Sequence, residues 1–155
     1  MNKKPSEVVV RAWVRLAKAQ QIALAAIENA LNDADLPPLV WYDVLLEVER
    51  AKEKGIRPFE LERAMLLAQY NLSRLLDRIE RAGYVERAAC VEDGRGQVIR
   101  ITELGKSVRR RMWPVYAGAI ERAVGEKLSA GEALALVGLL GRLTMPEAGK
   151  LAGGA

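Results

Sequence analysis

Residues 66–105 read LLAQYNLSRLLDRIERAGYVERAACVEDGRGQVIRITELG. Leu72, Leu75, Leu76 and Ile79 recur at spacings of three and four, which aligns them on one face of a helix predicted over Ala68 to Ala82. Gly83 follows, a residue suited to the left-handed cap that ends a helix. Tyr84-Val85-Glu86-Arg87 and Val98-Ile99-Arg100-Ile101 are rich in β-formers, and Asp93-Gly94 and Gly96 between them supply the backbone freedom of a tight turn. An amphipathic helix followed by a hairpin tipped by Glu92-Asp93-Gly94-Arg95-Gly96 is therefore expected.

The outward positions of that helix, Gln69, Tyr70, Asn71, Ser73, Arg74 and Arg78, carry donors and acceptors suited to base edges and phosphates. A solvated helix face carries the same residue types, so the helix alone does not decide its use. The hairpin adds Arg95, which turn geometry does not require. A guanidinium at the tip of a two-stranded ribbon can enter a narrow minor groove. Asp93, two residues earlier, can hold it in one orientation, with Gly94 between them. A groove-sized helix followed by an Arg-tipped hairpin is the layout of a winged helix-turn-helix.

Upstream, Asn32 to Pro38 reads as a turn. A helix over Leu39 to Lys52 places Val40, Val44, Leu45 and Val48 on one side and ends at Glu53-Lys54-Gly55. Pro58 opens a short helix with Leu61, Ala64 and Met65 facing inward, and Leu66-Leu67 forms the turn into the next helix. The first helix, Ser6 to Asn32, has one apolar stripe through Trp13, Leu24, Ile27 and Leu31 and a second of small residues, Ala19, Ala23, Ala26 and Ala30. Two apolar sides call for two neighbours: the chain's own core and the same region of a second copy. The alternative is the central helix of a monomer.

Downstream, Thr102 caps a helix starting at Glu103 and reaching about Val124, with a kink expected near Arg110 to Pro114. Ser129 and Glu132 form a capping box for a last helix. Its Leu134, Leu136, Leu139, Leu140 and Leu143, with Val115, Ala119, Ile120, Ala123 and Val124 before it, are more apolar surface than a small head covers. Met145-Pro146 ends the ordered part, and 151–155 reads as a tail.

With 155 residues, half of them apolar, one domain is expected. The net charge is +4, and between Arg74 and Arg111 ten basic residues face six acids, an excess equal to the whole net charge. The basic character thus coincides with the helix and hairpin. The single cysteine, Cys90, excludes an intrachain disulfide, and the opening MNKKPSE lacks a signal-peptide core, so the reducing cytoplasm is the expected compartment. No apolar run approaches the roughly 20 residues of a membrane span. There is no histidine, Gly-rich phosphate loop, CxxC pair or GxSxG elbow, which argues against an enzyme, a metal site or a cofactor.

The strings LSRLLDRIERAGYVER, EDGRG and ITELG resemble the MarR family of bacterial transcription regulators, with an L-D-R-L-E-x-x-G-L-V core, a D-x-R wing and an L-T-x-x-G exit. The resemblance is specific over Leu66 to Gly105 and looser over Leu36 to Arg63 and Leu128 to Glu132. It implies a mainly α fold with a small β-hairpin wing, a single domain over 1–150 with a winged head at about 36–102, and dimerisation helices at about 6–32 and 103–144. It implies a homodimeric repressor on a pseudo-palindromic operator in double-stranded DNA, released by a small aromatic or anionic effector. Gln69, Tyr70, Asn71, Ser73 and Arg74 match the recognition helix, Arg78 a backbone-facing arginine, and Asp93 and Arg95 the wing pair. Trp13, Trp41, Tyr42, Met112, Trp113 and Tyr116 are the candidates to line an effector pocket, or else pack as core. One departure stands out: the turn Met65-Leu66-Leu67 lacks the glycine or small polar residue often found there. Cys90 is expected to be inert. The rival reading is a winged-helix dimerisation or protein-interaction module that does not read DNA.

Overall fold

The computed structural model describes residues 3–67, 71–90 and 96–145. Among them the order is α1 (Glu7–Asp33), α2 (Leu39–Arg50), a 3-10 turn (Lys52–Lys54), α3 (Pro58–Ala64), α4 (Leu72–Arg81), β1 (Val85–Ala89), β2 (Gln97–Ile101), α5 (Glu103–Ile120), a π turn (Glu121–Gly125) and α6 (Ala130–Thr144). The fold is mainly α with one two-stranded antiparallel hairpin, in which Val85 pairs with Ile101 and Ala89 with Gln97.

The core gathers Leu31 from the end of α1, Leu39, Val44, Leu45 and Val48 from α2, Leu61 from α3, Leu75, Leu76 and Ile79 from α4, Ile99 from β2 and Met112 from α5. Three ties hold these elements in register. Pro38 offers α2 no side-chain cap, and the orphan N–H of Leu39 instead donates to Glu28 Oε1 of α1 at 3.1 Å. Ile56 exchanges both backbone hydrogen bonds with Ile99, at 3.0 and 2.8 Å, which fastens the approach to α3 onto the hairpin. Gly55 beside it has φ +73°, and a Cβ there would lie 2.9 Å from Val98 Cγ2, so only glycine fits.

The third tie closes α4. Gly83, at φ +82°, donates to the Glu80 carbonyl at 2.9 Å, and Tyr84 donates to Ile79 at 3.2 Å, the double bond of a Schellman cap. Thr102 Oγ1 donates to the Gly83 carbonyl at 2.6 Å and accepts the Gly105 N–H at 3.0 Å. Gly105 approaches the Tyr84 carbonyl too closely for any Cβ. The threonine and glycine of the ITELG string thus bind the end of α4 to the start of α5.

Four local expectations are corrected. Helix α4 starts at Leu72 rather than Ala68, with Asn71 as its N-cap. Helix α2 ends at Arg50, because Lys52 adopts φ +54° and the chain tightens into the 3-10 turn. Ala64 is exposed, since the seven-residue α3 buries Leu61 alone. Helix α5 runs through Pro114 to Ile120 and then widens into the π turn instead of continuing as α-helix to Val124.

Away from the head, apolar surface is left uncovered. Helix α6 buries none of its side chains, and Leu134, Val137, Leu139 and Leu143 are exposed on it. On α1 only Ile27 and Leu31 are buried, while Val8, Val9, Trp13 and Ile22 stand in solvent.

Candidate nucleic-acid interface and adjoining cavity

Helix α4 separates its two faces sharply: Leu75, Leu76 and Ile79 are buried, and Ser73, Arg74, Asp77 and Arg78 are exposed. The acids on it are committed elsewhere. Asp77 accepts from Arg87 Nη2 of β1 at 2.7 Å, and Glu80 lies 3.5 Å from Arg87 Nε. Arg74 and Arg78 have no ion pair among the described residues, so the outer face of α4 presents positive charge. Asn71 has a structural role as well. Its Oδ1 accepts the Arg74 N–H at 3.1 Å, which caps the helix and leaves the amide Nδ2 and the second Oδ1 lone pair to meet a ligand.

Gln69 and Tyr70, and the tip residues Asp93, Gly94 and Arg95, lie outside the described residues. At the base of the hairpin, Cys90 N–H donates to the Gly96 carbonyl at 3.3 Å, and Gly96 has φ +78°. Cys90 is buried, and its Sγ accepts from Arg57 Nη2 at 3.4 Å.

The turn before α4 is held by a residue that the sequence reading did not single out. Asp43, on α2, is 6% exposed; its Oδ1 accepts the Leu66 N–H at 3.0 Å and its Oδ2 the Leu67 N–H at 2.7 Å. Helix α3 ends at Met65 in an extended conformation, so the next N–H groups have no helical partner. One carboxylate satisfies two of them. The signal in the sequence was an acid inside the apolar run Tyr42-Asp43-Val44-Leu45, since an acid is almost never fully buried without partners.

The same residues border a cavity of about 640 Å³ between α2, the turn 64–67 and α5. Tyr42, Trp113 and Tyr116 form its aromatic wall: Tyr42 stacks on Trp113 with centroids 6.2 Å apart, and Tyr116 meets both edge-on, at 5.2 and 5.8 Å. Asp43, Glu47, Arg50, Leu66 and Leu67 complete the lining with apolar neighbours. The other three aromatic-pocket candidates lie elsewhere. Met112 is wholly buried in the core, Trp41 packs edge-on against Tyr84 at 5.9 Å, and Trp13 is 65% exposed on α1. Among the described residues no cluster of three or more metal-ligating side chains occurs, and no helix is long and apolar enough to cross a membrane.

Residues 34–96 match the model of the MarR family. Whole-chain likeness to solved structures extends this. The MarR family transcriptional regulator Sco3205 from Streptomyces coelicolor, in complex with DNA, is 23% identical with a TM-score of 0.81, over 93% of this chain and 96% of that one. A mutant MarR from E. coli complexed with operator DNA is 21% identical, TM-score 0.77, over 92% and 100%. BpsR from Bordetella bronchiseptica, whose DNA binding is regulated by 6-hydroxynicotinic acid, is 17% identical, TM-score 0.79, over 93% and 100%. At these identities the structural likeness is one of fold.

Proposed function

We propose, because residues 34–96 match the model of the MarR family and the chain as a whole has the fold of its members, that this protein is a homodimeric DNA-binding transcription regulator, a repressor released by a small aromatic or anionic effector. The observation that carries the reading is the electrostatics of α4: its acids are drawn onto Arg87, while Arg74 and Arg78, exposed on the outer face, have no ion pair among the described residues. In this reading Ser73 and Arg74, with Gln69 and Tyr70 before them, face bases in the major groove, and Arg78 a phosphate. Asn71 caps the helix and donates through its amide, and Asp93, Gly94 and Arg95 enter the minor groove. Two such heads bind a pseudo-palindrome whose half-sites lie about 34 Å apart.

The second copy covers the apolar faces of α1 and α6, which one chain leaves in solvent. The head at about 36–102 and the helices at about 6–32 and 103–144 are then reading and pairing parts of a single domain. The cavity supplies the control. An occupant lying against the wall of Tyr42, Trp113 and Tyr116 touches Asp43 and the turn it holds, so binding there shifts the start of α4 and loosens the DNA. Catalysis is no part of this reading.

Affinity for a duplex carrying the preferred site, measured over a series of salt concentrations, tests the proposal. A protein that neutralises several phosphates loses affinity steeply as salt rises. Affinity that is flat with salt, or equal for every duplex, would leave a winged-helix fold that does not read DNA.

A further inference from the structure

We propose that the cavity between α2, α5 and the turn 64–67 selects lipophilic cations, aromatic molecules carrying a positive charge, over the anionic aromatics that the family resemblance suggested. This rests on the cavity being the effector site and adds the charge of what enters it.

Among the described residues the lining holds two carboxylates, Asp43 and Glu47, and one cation, Arg50. Arg50 is paired with Glu47, at 2.7 Å, and its side chain is 65% exposed. Asp43 is buried and faces no cation among the described residues; its two hydrogen bonds come from backbone N–H groups, and each oxygen keeps a lone pair for a further donor. Buried charge is poorly screened, so an entering anion would meet this carboxylate at nearly full strength, and a cation would gain from it.

The wall points the same way. The faces of Tyr42, Trp113 and Tyr116 carry the negative side of the aromatic quadrupole, and tryptophan holds cations best of the three types. The protein already uses this property once. The Arg109 guanidinium lies over the Tyr42 ring at 5.9 Å and is held there by Glu49, outside the cavity lining. Burial first, and then the nearby Tyr42 and Asp43, raise the Tyr116 phenol above its ordinary pKa.

Tetraphenylphosphonium and tetraphenylborate share one shape and differ in the sign of their charge. Calorimetric titration of the full-length protein with each is expected to show the phosphonium binding at least about tenfold tighter. Trp113→Leu, at a half-exposed position that the fold tolerates, should weaken the phosphonium by about 2- to 30-fold. Glu47→Gln should weaken it less, with the borate gaining. Borate binding as tightly as phosphonium, neither ion binding, or phosphonium binding indifferent to Trp113→Leu would each overturn the proposal. Enrichment of sequences from random DNA, measured on the same preparation, separates the two readings. Sites enriched but neither ion bound leaves the regulator without this cation preference; phosphonium bound but no site enriched keeps the preference and removes the regulator.

Discussion

The two ends of α4 are fastened in opposite ways. Its C-terminal end is closed mainly by neighbours in the chain, the Gly83 and Tyr84 N–H groups turning back onto Glu80 and Ile79, with Thr102, 19 positions on, sealing the Gly83 carbonyl. Its N-terminal approach hangs on Asp43, a residue of α2 more than twenty positions away that borders the aromatic cavity. One end is a fixed pivot. The other depends on a carboxylate that borders the cavity, and in the proposed reading this is where control over the reading face enters. A bistable element biased at one end is what a ligand-responsive switch needs.

Breaking the N-terminal tie should have the largest effect. Asp43→Ala strands the Leu66 and Leu67 N–H groups; we expect a loss of about 3 kcal/mol in urea unfolding, with DNA affinity falling as well. Next is the reading face itself. Arg74→Ala should cost about 2 kcal/mol of affinity for the preferred site and relax its sequence preference, while the urea midpoint stays unchanged. At the pivot, Gly83→Ala forces a Cβ into the left-handed region, where its nearest neighbour, Leu104 Cδ2, is a comfortable 3.5 Å away. The cost is then conformational, about 1 kcal/mol of stability, with effector response and DNA preference intact. A pivot variant that abolished the response would erase the distinction between the ends. Smallest of all is Asn71→Ser, which exchanges one good cap for another and should change stability by less than about 0.5 kcal/mol. A shift of base preference on that substitution would return Asn71 to the role of base reader.

The same contrast explains what could be read in the chain beforehand. Gly83, Thr102, Ser129 and Glu132 act on backbone groups within a few residues, or through a motif with its own spacing, so the helix ends they govern appear in the sequence. The inward face of α4 was legible for the same reason, through Leu75, Leu76 and Ile79. Asp43 acts across the fold, and only an acid in an apolar run hinted at it. Without that partner, the turn Met65–Leu67 looked merely irregular, and the helix was extended back to Ala68. The aromatic set divided along similar lines. Six large side chains looked equivalent as pocket candidates, but only the packing of α5 on α2 decides that Tyr42, Trp113 and Tyr116 meet, that Met112 enters the core and that Trp41 turns to Tyr84.

The central claim is that α4, with the hairpin beside it, reads a specific duplex in two symmetric copies. Selection of bound sequences from random double-stranded DNA by the purified full-length protein tests it most directly. The account predicts enrichment of a pseudo-palindrome with half-site centres about 10 base pairs, one helical turn, apart. Recovery of unenriched DNA, or of a single half-site without a symmetric mate, would contradict it.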